Sequence, residues 1–344
     1  MTFPVNGGTQ LREVPVRQAV GLRLAHDLTQ IIPGQFKGRL FTKGHIVTEA
    51  DIPKLLDIGK EHIYIMELGE GELHEDDAAH RMALALHGEG TVLSEPHEGK
   101  VSIKSDLPAP ALAVIDASLV HAINELGDIA LATLQTHSVV KPGGQLAATR
   151  VIPLVVAEEK IERVEQMAES YRLLHEGRSP IQVRSLRSFR IGLLTTGSEV
   201  FSGRIEDKFG PAVRRIVETL GSEVAEQRFT PDDRHTIVKE INYLISQGYD
   251  MILVTGGMSV DPDDRTPAAI KEAGAEVVSY GTPMLPGSML LMGYIGGVPI
   301  MGLPGCVMHD PYTSFDVLLP RILAGDIITR EDIVRMGYGG LYNC

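Results

Sequence analysis

Residues 251–270 read MILVTGGMSVDPDDRTPAAI. Met251 to Thr255 form a short apolar run that ends in two glycines, the pattern of a buried strand running into a turn. Gly256 and Gly257 free the backbone for close approach of an anion or a flat ligand. Asp261, Asp263 and Asp264 then bring three carboxylates together within four residues. Their mutual repulsion costs stability unless a cation or a polar ligand compensates. Hard oxygen donors of this kind suit Mg²⁺, which keeps waters and bridges to ligand phosphate; a solvated acidic loop is the alternative. DRTPAAIKEAG continues as a short helix.

The same alternation of strand and helix runs to either side. Upstream, FRIGLLTT is a nearly continuous apolar strand ending at Gly197. A helix is expected over 207–220, with Phe209, Val213, Ile216, Val217 and Leu220 on one stripe and Gly221 as its stop. VAEQRF reads as a second strand, and a helix carrying Ile237, Ile241, Leu244 and Ile245 runs to Gly248. Downstream, VPIMGLPG is a further strand-to-turn unit leading into a helix over 313–323. This alternation predicts a three-layer α/β/α domain over 185–326 with a mostly parallel sheet. All parallel strand C-termini then fall on one edge, where ligands of open α/β sheets bind.

Four loops on that edge carry the candidate residues. Thr195-Thr196-Gly197-Ser198-Glu199 offers small hydroxyl residues, a glycine and one carboxylate, although an ordinary strand-to-helix turn would read the same way. Thr230-Pro231-Asp232-Asp233-Arg234 offers two more carboxylates, either of which can cap the next helix. The third loop is the one quoted above. The fourth is Gly302-Leu303-Pro304-Gly305-Cys306, with turn residues nearby at Tyr280-Gly281-Thr282-Pro283 and Pro286-Gly287-Ser288-Met289. Cys306 reads as a small, half-buried residue following a glycine turn. Four loops on one edge, three of them with glycine and three with carboxylates, argue for a site more strongly than any single loop.

The N-terminal half is less legible. A short helix is expected over 51–59 with Gly59 at its end, followed by the strand HIYIMEL. Short β-branched pieces then fill 88–156, interrupted by a helix over 118–126 and by the turn KPGG. An amphipathic helix over 160–176 places Ile161, Val164, Met167, Ala168, Tyr171 and Leu174 on one stripe. The expected division is an α+β segment over 1–70, a β-rich region over 71–180, the α/β domain over 185–326 and a tail over 327–344. The polar run EGRSPIQVRSLRS forms the boundary.

Composition narrows the function. Hydrophobic residues make up 43% and charged residues 22%, enough for a buried core in an ordinary soluble chain. The formal net charge of -13 argues against a nucleic-acid partner, whose phosphates need a surplus of Lys and Arg. It leaves room for a small phosphorylated ligand held by backbone N–H groups. No run approaches the roughly 18 apolar residues of a membrane span, and the first residues lack a secretory apolar core. Cys306 and Cys344 are too few for a disulfide framework or a zinc site, and the 12 His lack metal-ligand spacing. A cytoplasmic, reduced protein is expected.

Taken in order, LLTTGSEV, the DD before a helix, ILVTGGMSVDPDDRTPAAI and GLPG resemble the molybdopterin-binding domain. That domain is shared by molybdopterin adenylyltransferases and molybdopterin molybdenumtransferases. The resemblance spans about 140 residues, from Arg190 to Gly325. It implies a sheet edge that binds molybdopterin or its adenylylated form with Mg²⁺, in a homo-oligomer. It assigns Glu199, Asp264 and Asp232 to catalysis and Asp264 to the metal. It assigns the ligand to Thr195, Thr196, Gly197, Ser198, Asp207, Gly256, Gly257, Ser259, Thr266, Pro286, Gly287, Pro304 and Gly305.

Several positions depart from the family pattern. No DGYA motif stands in the N-terminal half, and PGKP appears as Pro286-Gly287-Ser288-Met289, without its lysine. GLPGNP appears as GLPGCV, and the usual D-S-N appears as Asp207-Lys208-Phe209. The leading expectation is a pterin-binding protein of molybdenum-cofactor synthesis that transfers molybdate or an adenylyl group; a non-catalytic pterin carrier or sensor is the alternative, and a nucleotide hydrolase built on the same domain is the second.

Overall fold

Successive residues from Ile191 to Leu194 face two different hydrophobic cores, and this alternation fixes the architecture of the C-terminal half. The computed structural model describes residues 2–4, 10–32, 36–258 and 265–342. It divides into two compact units, one of Met1–Asp106, Ala113–Thr136 and Gly143–Val183, the other of Leu107–Leu112, His137–Pro142 and Arg184–Cys344.

The second unit begins its sheet with β1 (Arg190–Thr196), followed by a one-turn α1 (Ser198–Phe201) and α2 (Phe209–Thr219). Then come β2 (Glu223–Thr230), α3 (Arg234–Ser246), β3 (Met251–Thr255) and α4 (Thr266–Glu272). An antiparallel portion follows: β4 (Glu276–Tyr280), β5 (Leu291–Ile295) and β6 (Val298–Leu303). The unit closes with α5 (Ser314–Leu323) and α6 (Arg330–Arg335).

These strands form one six-stranded sheet in the order β2-β1-β3-β6-β5-β4. The pairs β1–β2, β1–β3 and β3–β6 are parallel, while β6–β5 and β5–β4 are antiparallel. On one face Ile191, Leu193, Leu253, Met301 and Leu303 pack with Val213 and Val217 of α2 and with Phe315 and Leu318 of α5. On the other, Leu194, Ile252, Val254 and Ile300 pack with Ile237, Ile241 and Leu244 of α3 and with Ala269 and Ile270 of α4. This is the expected three-layer α/β/α arrangement. The antiparallel strands β4 and β5 were not anticipated, nor was helix α6.

The helix boundaries follow local chemistry. Asp233 caps α3 by accepting the Thr236 amide at 2.9 Å, and Thr313 with Asp316 forms a reciprocal capping box on α5. Gly221 and Gly248 follow α2 and α3 with φ of 80° and 71°, a backbone conformation that favours glycine.

The first unit is β-rich, as expected, with more helix than its sequence announces. Strands 10–15 and 62–67 pair antiparallel over a core that includes Val14, Leu24, Leu55 and Ile65. Strands 129–133, 145–151, 100–105 and 91–93 form a second, antiparallel sheet. Helix Glu75–Leu86 was not foreseen; it buries Ala78, Ala79, Met82, Ala83 and Leu86. The amphipathic helix spans Glu158–Leu174 and buries Ile161, Val164 and Ala168, whereas Leu174, expected on the same stripe, is 81% exposed in its last turn. No helix among the described residues is long and apolar enough to cross a membrane.

Candidate ligand site at the strand C-terminal edge

The parallel strands β2, β1, β3 and β6 bring the four candidate loops to one edge of the sheet. Beneath them lies a buried polar frame. Thr195, Thr196, Thr255 and Thr266 are all buried. The Thr255 hydroxyl donates to Thr195 Oγ1 at 3.2 Å, and Gln227 Nε2 donates to the same oxygen at 3.0 Å. The Thr196 and Thr266 hydroxyls lie 3.3 Å apart. These hydroxyls thus tie β1, β2, β3 and α4 together, satisfying polar groups that burial would otherwise leave without partners.

Asp207 belongs to this frame. Gln227 Nε2 donates to Asp207 Oδ2 at 2.6 Å, and the Phe209 amide donates to Oδ1 at 2.9 Å. The carboxylate thereby holds the first turn of α2 and fixes the position of Phe209. Gly210 completes the fit, since a Cβ there would lie 2.5 Å from Asp207 Oδ2.

The first and second loops clasp each other. Ser198 N donates to Asp232 Oδ2 at 3.1 Å, and Asp232 N donates to Ser198 Oγ at 3.3 Å. Gly197 N donates to the Thr230 carbonyl at 3.0 Å. Of the paired aspartates, Asp233 is the helix cap, and hydrogen bonds from Thr236 hold its carboxyl below the usual range. Asp232 faces the first loop instead. Glu199 is exposed in α1.

In the third loop Gly256 and Gly257 have φ of 87° and 57°. A Cβ on Gly256 would stand 2.2 Å from the Thr196 carbonyl oxygen, and one on Gly257 would stand 2.7 Å from Thr266 Oγ1. Both glycines are therefore dictated by close backbone approach. Ser259, Asp261, Asp263 and Asp264 lie outside the described residues. Among the described residues there is no group of three or more His, Cys, Asp or Glu that could hold a metal ion.

A cleft of about 530 Å³ opens between the third loop, the 285–289 segment and the fourth loop. It brings together six of the sequence candidates: Gly256, Gly257, Pro286, Gly287, Pro304 and Gly305. The two threonines of β1, Thr266 and Asp207 lie outside its lining, as do Gly197, Ser198, Glu199 and Asp232. The rest of the lining was missed: Phe209, Met258, Leu285, Ser288, Met289, Leu303, Cys306 and Met308. Met258, Ser288, Met289, Leu303 and Cys306 stand in the candidate loops and turns but were not assigned to the ligand, while Phe209, Leu285 and Met308 carried no chemical signal beyond adjacency to Asp207, Pro286-Gly287 and Pro304-Gly305. Cys306, expected to be a half-buried turn residue, is partly buried in this wall.

Among the described residues the lining contains no Asp, Glu, Lys, Arg or His. An apolar slot floored by glycine backbone suits a flat heterocycle. Gly287 seats the middle of the 285–289 wall on α5: the Ser314 and Thr282 hydroxyls donate to its carbonyl at 2.7 and 3.0 Å.

Residues 192–324 match a family described as "Probable molybdopterin binding domain", and residues 13–67 match a domain of unknown function (DUF8806). The molybdopterin molybdenumtransferase of Staphylococcus aureus (strain COL) is 28% identical over 131 residues, covering 36% of this chain and 31% of that protein. The chain thus spans about a third of the length of that relative. A CinA-like protein of Mycobacterium avium (strain 104) is 37% identical over 79 residues, covering 23% of this chain and 18% of that protein. Among solved structures, the molybdopterin biosynthesis enzyme MoaB of Thermus thermophilus is 27% identical. It covers 40% of this chain and 98% of its own, with a TM-score of 0.34.

Proposed function

With residues 192–324 as a molybdopterin-binding domain, we propose that the chain binds molybdopterin in the cleft between the 256–258, 285–289 and 304–308 segments and serves molybdenum-cofactor biosynthesis as a carrier. The observation that carries the reading is the cleft itself: a slot sized for a small heterocycle, floored by Gly256 and Gly257 and, among the described residues, lined by no charged side chain. The pterin ring system lies against Phe209 and the methionines, and backbone N–H groups of the third and fourth loops take the phosphate. Ser288 stands where the molybdenumtransferase pattern has a lysine, so this position brings no side-chain cation to a transferring group. This favours binding without turnover.

The adenylylated form and Mg²⁺ belong to the same reading. Glu199 and Asp232 sit on the first and second loops, and their carboxylates, with Asp264 of the third, are the residues that would hold Mg²⁺ against a phosphate. The ion would supply charge neutralisation.

The test is equilibrium binding of molybdopterin and its adenylylated form, with and without Mg²⁺, followed by assays for adenylylation and molybdate insertion. Binding without turnover is the expected result. Turnover at a rate typical of enzymes, about 1 s⁻¹ or more, would make the chain a transferase. Hydrolysis of a dinucleotide without pterin affinity would assign the domain to nucleotide chemistry.

A further inference from the structure

The 285–289 wall of the cleft is held from two sides. On the inner side Gly287 rests on the start of α5, and a Cβ on Gly287 would lie 2.5 Å from the Ser314 amide nitrogen. On the outer side the segment after α6 lies along Leu285. Leu285 N donates to the Gly340 carbonyl at 2.8 Å, and Tyr342 N donates to the Leu285 carbonyl at 2.8 Å. Both backbone polar groups of a cleft residue are thus satisfied by this one segment, which forms a parallel bridge at Leu285 and Leu341.

The same segment reaches the opposite wall. The Tyr342 ring lies 4.8 Å from that of Tyr312, tilted by 54°, and the two side chains share a hydrogen bond. Tyr312 follows the 305–308 turn that carries Gly305, Cys306 and Met308 into the cleft. Burial and the neighbouring Tyr342 push the Tyr312 phenol up to about 12, although the Tyr312 residue stays 39% exposed. The segment has little freedom to shift: a Cβ on Gly340 would meet the Met336 carbonyl oxygen at 2.3 Å and that of Pro283 at 2.9 Å.

We propose that residues 337–342 are a positioning element that staples the two walls of the cleft together, through Leu285 on one side and Tyr312 on the other. Its consequence for affinity rests on the reading of this cleft as the pterin site. Tyr342 is the positioning residue, because its amide holds Leu285 and its ring holds Tyr312. Without it, the Leu285 backbone turns to water and the ligand must order both walls as it binds, which weakens binding without altering any group that touches it.

The experiment compares the full chain with Tyr342→Pro, which removes both the amide donor and the ring, and with Tyr342→Phe, which keeps both. Molybdopterin affinity is measured beside amide hydrogen exchange at Leu285 and across β3. The expected result for Tyr342→Pro is affinity about tenfold weaker and faster exchange at Leu285, with β3 exchange unchanged; Tyr342→Phe stays within about twofold of the parent. Unchanged affinity with a protected Leu285 in Tyr342→Pro would overturn the staple. So would loss of protection across β3, which would make Tyr342 a general stability residue. If the unsubstituted protein fails to bind molybdopterin, the ligand assignment falls and exchange at Leu285 alone decides the staple.

Discussion

Gly256 packs so closely on Thr196 that a methyl group added to it would lie 2.2 Å from the Thr196 carbonyl oxygen. That approach joins the ends of β1 and β3, and it explains a glycine with φ of 87° directly after a buried strand. Gly256→Ala is expected to cost on the order of 1–3 kcal/mol, from the unfavourable φ and the displaced carbonyl. Gly305→Ala, where the added atom meets open space, is expected to stay within about 0.5 kcal/mol of the parent. Denaturant titration of both variants checks the contrast; equal stabilities would contradict it.

The paired aspartates should separate by role. Asp233 caps α3, and its carboxyl is held below the usual range by Thr236. A carboxyl depressed in the folded state adds stability above the unfolded carboxylate range of about 4 and loses it as pH falls below that range. Asp233→Ala is therefore expected to lower the melting temperature at neutral pH and to flatten the acid limb of the stability profile. Asp232→Ala, which breaks the clasp to Ser198, should leave α3 intact by circular dichroism and weaken ligand binding.

His137 provides a test at mildly acid pH. Burial, with repulsion from Arg321 and Arg184, pushes its pKa down to about 4. The unfolded chain takes up a proton near pH 6.5 and the folded chain does not, so stability falls as pH drops from about 6.5 towards 4. His137→Asn tolerates the φ of 67° at this position and is expected to remove that dependence. Thermal melts at pH 7.5, 6 and 5 (conditions of about those values, chosen to bracket the window) decide it.

Ser288→Lys places a cation in the cleft wall at the position where the molybdenumtransferase pattern has lysine. A charge-assisted bond to the ligand phosphate should tighten molybdopterin binding by about tenfold, with the gain lost at high salt. An affinity unchanged at low salt would mean that the phosphate does not lie near this wall.

The alternation that places Ile191 and Leu193 on one face and Leu194 on the other was readable in FRIGLLTT, because a parallel strand buried on both faces must be apolar throughout. Helix stops at Gly221 and Gly248 were readable because few residues but glycine accept their backbone. The strands β4 and β5 were not. β4 is an edge strand in which only Ser279 is buried, so it carries no apolar period. Helix Glu75–Leu86 was hidden because its buried face is largely alanine, which contrasts weakly with its polar side. At the site, the glycines of the cleft were legible from turn chemistry, whereas Phe209 read as part of a helix stripe, Met289 as a turn residue and Met308 carried no signal until the fold brought them together. Thr195, Thr196 and Asp207, expected as ligand contacts, form hydrogen bonds within the frame and lie outside the lining of the cleft.

The proposed function stands or falls on whether molybdopterin occupies the cleft beside Gly305. Gly305→Trp fills that space from a position where an added Cβ meets no neighbouring atom within 4 Å, so the backbone there should be kept. Calorimetric titration of the parent and Gly305→Trp with molybdopterin, paired with a thermal melt of each, decides the question. Binding by the parent is expected, with a loss of at least about tenfold in the variant and closely similar melting temperatures. Undiminished binding by a folded Gly305→Trp protein would contradict the assignment.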